Sequence, residues 1–283
     1  MAEYANPDAL VETDWLEQHL EDSNVRIIEV DEDTTAYEKG HIKGSLAWNW
    51  SLDLHADVGR DFVDQDGVSK LLQKAGVGPD TTVILYGGNN NWFASYAYWL
   101  LRYLGFGTVK LLNGGRKKWE LESRELTQDT PSVTPTDFKI KQPVQGDIRA
   151  LRDDVLSRIE EGGAAAFVDV RSPEEFRGDK LAPDHLPQEQ AQVGGHIPGA
   201  ANVPWAKAAN DDGTFRSADE LRELYEGAGA TPDKEIIAYC RIGERSSHTW
   251  FVMRELLGYG NVKNYDGSWT EYGSLVGAPV EKG

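Results

Sequence analysis

The amino-acid sequence predicts an α/β protein of two tandem domains, each a mostly parallel sheet flanked by helices. Three observations indicate this architecture. The chain has 283 residues, which exceeds the usual size of one domain. Its motifs occur twice, in the same order. Within each copy, short β-branched and apolar runs alternate with stretches of helical periodicity, as in folds where helices cover a parallel sheet.

Several short motifs show the duplication. Residues 40–44 (GHIKG) recur at 195–199 (GHIPG), 83–86 (VILY) at 236–239 (IIAY), 113–114 (NG) at 266–267 (DG), and 27–30 (IIEV) at 167–170 (FVDV). Two long copies indicate duplicated domains rather than a solenoid, whose period is about 20 to 50 residues. We therefore expect an N-terminal domain over residues 1–130 and a C-terminal domain over 148–283. The second copy carries an insertion at 177–193, and the proline-containing segment 127–147 fits a linker.

The second copy contains a strand, a loop and a helix in succession. Residues 236–239 predict a buried strand, and residues 245–257 predict a helix that ends at Gly258. Three apolar residues of the helix lie along one face, namely Trp250, Met253 and Leu257. In open α/β sheets, ligands bind at such strand-to-helix turns, beyond the carboxyl ends of the strands. We expect a functional site there.

Composition and charge exclude several classes of protein. Hydrophobic residues make up 40% of the chain and aromatic residues 10%, unlike disordered proteins. No stretch approaches the roughly 18 apolar residues of a membrane span, and the N-terminus lacks a secretory pattern, so we expect a cytoplasmic protein without a membrane partner. The net charge of −18 argues against binding nucleic acid through its phosphates. The single cysteine, Cys240, excludes an intrachain disulfide and a cysteine-rich zinc site.

The two copies serve as controls for each other, because a residue that only the fold needs should occur in both. His41 and His196 occupy the same position of the repeated GHIxG motif, so we expect both to be part of the scaffold. The loops at 86–92 (YGGNNNW) and 239–245 (YCRIGER) differ in chemistry. The first has no nucleophile and no charge, whereas the second has a thiol, two arginines and a glycine.

The second loop has the features of a reactive thiol site. Cys240 precedes a helix, whose positive dipole end and unpaired N–H groups favour a thiolate and could hold an oxyanion or a persulfide. Arg241 and Arg245 act in the same direction, and Gly243 allows the loop to curl around the sulfur. The alternative is a polar turn with a half-buried cysteine. His248, about two helical turns beyond Cys240, is expected to be a surface or packing residue.

These motifs resemble the two-domain rhodanese family of thiosulfate and mercaptopyruvate sulfurtransferases over almost the whole chain. The resemblance is carried by residues 169–176 (DVRSPEEF), 195–205 (GHIPGAANVPW), 240–246 (CRIGERS) and 265–272 (YDGSWTEY). It implies a catalytic C-terminal domain and an N-terminal domain of the same fold that lacks the cysteine. Cys240 matches the nucleophile that forms the persulfide. Six further positions match substrate-binding residues, namely Arg171, Arg241, Ile242, Gly243, Glu244 and Arg245.

The chain departs from the family pattern at two positions. Vertebrate-type thiosulfate enzymes have an arginine at the position of Glu175 and a lysine at that of Ile242. Arg245 and Arg177 are candidates for supplying the missing charge.

The resemblance implies a double displacement in which Cys240 takes the outer sulfur of thiosulfate, releases sulfite and gives the sulfur to cyanide or a thiol. An anionic sulfur donor and such an acceptor are thus the expected partners, without a metal or organic cofactor. Alternatives are 3-mercaptopyruvate as the donor, a non-catalytic sulfur carrier, and a phosphatase on the same fold. Such phosphatases have five residues between the cysteine and the arginine, whereas Cys240 and Arg245 are separated by four.

Overall fold

The computed structural model describes residues 3–163, 165–183 and 190–283, so part of the predicted insertion at 177–193 lies outside the described residues. The chain forms two compact units. The N-terminal unit consists of Asp8–Gln145 and Asn210–Phe215. The C-terminal unit consists of the described residues of Met1–Pro7, Gly146–Ala209 and Arg216–Gly283.

The N-terminal unit is a five-stranded sheet with helices between the strands. Its strands are β1 (Leu10–Val11), β2 (Val25–Asp31), β3 (Leu46–Asn49), β4 (Thr82–Tyr86) and β5 (Val109–Leu112). Its helices are α1 (Thr13–Gln18), α2 (Thr35–Lys39), α3 (Trp50–Asp53), α4 (Gln65–Lys74), α5 (Gly88–Tyr103) and α6 (Gly115–Leu121). Neighbouring strands are parallel, in the order β1-β5-β4-β2-β3.

The C-terminal unit repeats this plan. Its strands are β6 (Arg149–Ala150), β7 (Ala165–Asp169), β8 (Ala201–Asn202), β9 (Glu235–Tyr239) and β10 (Val262–Tyr265). Its helices are α7 (Arg152–Glu160), α8 (Pro173–Arg177), α9 (Ala218–Glu226), α10 (Glu244–Phe251) and α11 (Ser268–Tyr272). The strands are again parallel, in the order β6-β10-β9-β7-β8, which corresponds strand by strand to the first sheet. The prediction of two α/β domains with parallel sheets is confirmed.

Buried apolar residues from the strands hold each sheet to its helices. In the C-terminal unit, Phe167, Ile237 and Tyr265 come from three different strands and belong to one apolar cluster. Ile236 to Tyr239 of β9 are fully buried, as the apolar run predicted. The central strand β9 is therefore buried up to its last residue, and the loop that follows it begins inside the unit.

The segment predicted to be a linker packs along the N-terminal unit. Thr127 exchanges two backbone hydrogen bonds with His41, each of 2.8 Å. Further along, the N–H of Thr136 donates to the Gln73 carbonyl, and the N–H of Gln145 donates to the Tyr103 carbonyl. These bonds satisfy the backbone of an extended strip that has few apolar side chains, which explains why hydrophobic periodicity did not identify it.

The helix predicted after the cysteine loop is present. It runs as α10 and continues as a π-helix over Val252–Leu256, and Gly258 beyond it has a left-handed φ of +73°. The prediction of one apolar face was too narrow, because every residue of α10 is buried. One covering element is the 3₁₀-helix Trp205–Ala208 of the same unit, whose Trp205 ring meets the His248 ring edge-on at 5.2 Å.

Candidate active site

The candidate site is the loop between β9 and α10. Cys240 follows the last residue of the strand, and its side chain is fully buried. Gly243 has a φ of +100°, and a Cβ there would lie 2.6 Å from the Cα of Asp266. Both the left-handed backbone and the lack of space require glycine. The predicted curl of the loop at Gly243 is confirmed.

A turn after β10 supports the loop. The N–H of Cys240 donates to the Ser268 hydroxyl at 3.0 Å, and that hydroxyl donates to the Tyr265 carbonyl at 2.6 Å. The N–H groups of Trp269 and Thr270 donate to the carbonyls of Cys240 and Arg241. Ser268 itself has a φ of +50°, which is uncommon outside glycine. Comparing residues 86–92 with residues 239–245 did not identify Ser268, although Ser268 lies in the YDGSWTEY motif.

The thiol is surrounded by groups of its own loop. The Gly243 N–H donates to Sγ at 3.2 Å, and Sγ donates to Glu244 Oε2 at 3.5 Å. Burial raises the pKa of the Cys240 thiol above its ordinary value, and the Glu244 carboxylate raises it further. Arg245 and a backbone hydrogen bond from Ser246 act in the opposite direction but do not outweigh these effects. The prediction that the loop favours a thiolate is wrong for this resting arrangement, because burial was not visible in the sequence.

Arg245 is held by a carboxylate. Its Nη1 and Nη2 donate to the two carboxylate oxygens of Glu175 at 2.9 and 3.0 Å, and both side chains are almost fully buried. Burial alone would raise the pKa of Glu175, but the hydrogen bonds and charge of Arg245 hold it below its ordinary value. Glu175, one of the two departures from the family pattern, is therefore the partner of Arg245.

Arg171 takes part in a different buried pair. Its guanidinium donates to Asp169 at 2.6 to 3.2 Å and to the Gly195 carbonyl at 2.7 Å. It stacks over the Trp269 ring at 4.7 Å, and the backbone N–H of Trp269 donates to the Cys240 carbonyl. The structure thus links Arg171 to the site through Trp269, and places six of the predicted residues in the loop itself. These are Cys240, Arg241, Ile242, Gly243, Glu244 and Arg245.

The other two candidate residues are Ile242, which lies within the loop, and Arg177, which lies outside it. Ile242 is buried, so its side chain contributes apolar surface where the family pattern has a lysine. Arg177 pairs with Asp179 at 2.9 Å, and its side chain is 43% exposed. Both candidates for the missing charge are paired with a carboxylate: Arg245, in the loop, with Glu175, and Arg177, outside the loop, with Asp179.

The histidines behave as scaffold residues. His248 is fully buried, and burial lowers its pKa to about 3, so it is neutral and packs against Trp205. His41 stacks on Tyr37 with ring centroids 3.8 Å apart, and His196 stacks on Phe176 at 3.6 Å. The structural interpretation of the repeated histidine and the packing role of His248 are both confirmed.

The described part of the chain has neither a cluster of metal-binding side chains nor a helix that could span a membrane. Within residues 3–163, 165–183 and 190–283, no three or more histidine, cysteine or acidic side chains are grouped so that they could hold a metal ion. No helix in the same ranges is both long enough and apolar enough to cross a membrane.

Comparisons with known proteins agree with the internal duplication. The family model described as "Rhodanese-like domain" matches residues 12–122 and 151–275. A Saccharopolyspora erythraea protein named "Putative thiosulfate sulfurtransferase" is 61% identical, covering 97% of this chain and 96% of its own. The "Sulfur carrier protein TtuD" of Thermus thermophilus is 54% identical, covering 99% of both chains. The crystal structure of YnjE is similar with a TM-score of 0.87 and 26% identity, covering all of this chain and 70% of that chain. The chain belongs to the rhodanese family and contains two rhodanese-like domains.

Proposed function

We propose that the protein is a sulfurtransferase in which Cys240 carries sulfur as a persulfide. The donor is thiosulfate, the leaving group is sulfite, and cyanide or a thiol accepts the sulfur. One observation carries the proposal: the only thiol of the chain lies at the start of α10, 3.2 Å from the Gly243 N–H, in a loop with two arginines. Family membership and the names of the relatives support it.

The proposed chemistry is exchange at sulfur. The Cys240 thiolate attacks the outer sulfur of thiosulfate, a new S–S bond forms, and the old S–S bond breaks with its electron pair leaving on sulfite. The N–H groups at the start of α10 that now face the thiol then face a persulfide anion, which they stabilise. In the second half of the reaction, the acceptor attacks the outer sulfur of the persulfide, and Cys240 leaves as a thiolate.

The proposed donor preference rests on charge. Thiosulfate is a compact dianion, and the chain has a net charge of −18, so binding requires local cations. Arg241 and Arg245 are the cations of the loop, with Arg245 also paired to Glu175, and planar guanidinium groups bind sulfonate oxygens well. 3-Mercaptopyruvate, with one carboxylate, is the alternative donor and depends less on the second cation.

A sulfur carrier that turns over slowly is the second candidate function. The name of the Thermus thermophilus relative favours it, and so does the buried Cys240 thiol with its raised pKa. A carrier would load one sulfur from thiosulfate but transfer it slowly to cyanide, whereas an enzyme would do both at comparable rates. Measuring the loading rate and the steady-state rate on one preparation separates the two functions.

Intact-mass measurement after incubation with thiosulfate tests the proposal. We expect the mass to increase by one sulfur atom, and the increase to disappear when the thiol is blocked beforehand. Subsequent addition of cyanide should restore the original mass. A protein with a free Cys240 that gains no sulfur would contradict the proposal.

A further inference from the structure

The carboxylate of Glu244 lies in direct contact with the thiol. Its Oε2 accepts the Sγ hydrogen bond at 3.5 Å, and the residue is 1% exposed, while Cys240 is 0% exposed. Its Oε1 makes no hydrogen bond among the described residues and faces Arg241 Nη2 at 4.0 Å. A buried carboxylate with one free oxygen is costly unless it exchanges a proton or binds a cation.

The two groups compete for one proton. Burial raises the pKa of Glu244, with Arg245 and Arg241 opposing, and burial together with the Glu244 charge raises that of Cys240. Loss of a proton from this pair to water would leave two adjacent buried anions. Movement of the proton from Sγ to Oε2 leaves the total charge of the pair unchanged, so this is the least costly route to a thiolate.

We propose that Glu244 accepts the thiol proton of Cys240 when sulfur is transferred and keeps it while the persulfide exists. The inference rests on the proposed persulfide chemistry. The S–H bond breaks and an O–H bond forms on Glu244. The thiolate electron pair then forms the new S–S bond to the outer sulfur, and the electron pair of the broken S–S bond leaves on sulfite. When the acceptor removes the sulfur, the Cys240 thiolate recovers the proton from Glu244.

Other groups near the thiol are poorer proton acceptors. His248 is fully buried against Trp205, and burial lowers its pKa to about 3, so it takes up a proton with difficulty. Asp266 is engaged by Arg149, whose Nε and Nη2 donate to its two oxygens at 2.9 Å. Glu175 forms the bidentate pair with Arg245. Glu244 is in hydrogen-bond contact with Sγ and retains a free oxygen.

The N-terminal unit lacks this proton acceptor. Asn91 stands at the position aligned with Glu244, and an amide does not accept a proton. Its Oδ1 accepts the Gly87 N–H at 3.0 Å, and its Nδ2 donates to the Leu112 carbonyl at 2.7 Å, so the amide only closes the loop. The proton acceptor thus occurs in the unit that has the thiol.

Single-turnover loading of Glu244→Gln distinguishes proton transfer from a purely electrostatic effect. If Glu244 acts only through its charge, its removal should ease thiolate formation and accelerate sulfur addition. If it accepts the proton, the rate should fall by about a hundredfold, as when a general base is lost. Glu244→Asp, which keeps the charge but withdraws the carboxylate, should lose less. Glu223→Gln, an exposed change on α9 of the same unit, is the matched control and should load at the wild-type rate.

Infrared difference spectra before and after thiosulfate addition give a readout independent of rate. We expect the S–H stretching band to disappear and a protonated-carboxyl band to appear, which Glu244→Gln should lack and Glu223→Gln should retain. Unchanged or faster loading of Glu244→Gln, or loading without the carboxyl band, would overturn the role of Glu244. Failure of the wild type to gain sulfur would instead refute the proposed function.

Discussion

The loops after β4 and β9 occupy equivalent places in two copies of one fold, yet only the loop after β9 contains a thiol. In the N-terminal unit, Asn89, Asn90 and Asn91 have left-handed φ values of 46°, 56° and 61°, and the Asn91 amide accepts the Gly87 N–H. In the C-terminal unit, the Cys240 N–H is bonded by Ser268, and the Gly243 N–H faces the sulfur. The fold supplies the position, and the loop supplies the chemistry.

Each unit also buries a strand carboxylate beside an arginine, but the arginine comes from a different part of the chain. Glu29 and Asp169 stand at aligned positions of β2 and β7, and each forms a buried pair with an arginine. The partner of Glu29 is Arg116 of α6, whereas the partner of Asp169 is Arg171, two residues along the chain. A buried carboxylate needs such a partner in both units, but its origin can vary. The need for an arginine beside this buried carboxylate is therefore common to both units.

Among the substitutions that test this comparison of the two loops, removal of the thiol has the largest expected effect on sulfur transfer. Cys240→Ser should reduce sulfur loading and thiosulfate:cyanide activity to background, because a hydroxyl is a poor nucleophile at sulfur and stores no persulfide. The melting temperature should stay close to that of the wild type, since the smaller oxygen can still accept the Gly243 N–H. Substantial residual activity in this variant would mean that the chemistry does not depend on Cys240.

The next largest effect is expected from Arg245→Ala. At the aligned position, the loop of residues 86–92, which has no thiol and is called the silent loop below, has Trp92. A charge-assisted hydrogen bond contributes about 1.5 to 3 kcal/mol, so kcat/KM for thiosulfate should fall roughly tenfold to a hundredfold. The value for 3-mercaptopyruvate should fall less, which narrows the gap between the donors. Kinetics with both donors at fixed salt measure this. A wild-type enzyme faster with 3-mercaptopyruvate would refute the donor assignment.

The same variant leaves the Glu175 carboxylate buried without its bidentate partner. Loss of one member of a buried pair costs about 3 to 5 kcal/mol of unfolding free energy. A double variant, Glu175→Leu with Arg245→Met, removes both charges and should recover most of that stability while remaining slow with thiosulfate. Urea unfolding of the single and double variants separates the structural part of the effect from the part due to donor binding.

The architecture could be predicted from the sequence because hydrophobic alternation is visible within short segments and the repeated motifs can be recognised from residue types alone. The strand Ile236 to Tyr239 and the bend at Gly243 could be predicted from residue types alone. The protonation state of Cys240 could not, since it depends on the burial of the loop, which chain segments distant in sequence produce. The Glu175–Arg245 pair joins residues seventy positions apart, and no periodicity reports such a contact.

The N-terminal unit should be sensitive to pH through Asp31, which stands at the position aligned with Arg171. Burial raises the pKa of Asp31 from 3.8 to about 7; the hydrogen bond from Gly88 opposes this, Glu29 adds to it, and Arg116 and Asp33 make smaller contributions. A carboxyl with a higher pKa in the folded state binds its proton more tightly when folded. The contribution of Asp31 to the unfolding free energy is therefore complete below about pH 4, and it is lost as the pH rises towards 7.

Asp31→Asn should remove this dependence. The amide can still accept the Gly88 N–H, so unfolding free energies at about pH 3, where Asp31 is largely protonated in both the folded and unfolded states, should be similar to wild type. At pH 8 the variant should be more stable, by at most about 4 kcal/mol, which corresponds to the shift of about three pKa units. Chemical unfolding at the two pH values measures this difference in unfolding free energy between Asp31→Asn and the wild type. Equal stabilisation at both would show that Asp31 titrates normally in the folded state.

The smallest effect concerns space in the silent loop, at the position aligned with Cys240. A Cβ on Gly87 would lie 2.5 Å from the Val30 carbonyl oxygen, although the backbone there is extended and suits any residue. Gly87→Ala should therefore destabilise the protein by about 1 to 3 kcal/mol, as overpacking does. Gly87→Cys would meet the same obstacle, so a thiol cannot be added to this loop without moving β2. Sulfur loading of Cys240 in folded Gly87→Ala should be normal.

The neighbouring glycine provides the matched control for that prediction. A Cβ on Gly88 would lie 3.5 Å from Asp31 Oδ2, an ordinary contact distance, and Gly88 begins α5. Gly88→Ala should therefore leave the unfolding free energy within about 0.5 kcal/mol of the wild type or raise it slightly, because alanine loses less backbone entropy on folding. If both alanine variants were equally stable, the contact with Val30 would not explain why the silent loop has glycine where the other loop has Cys240. The absence of a thiol there would then reflect the lack of selection for chemistry rather than a lack of room.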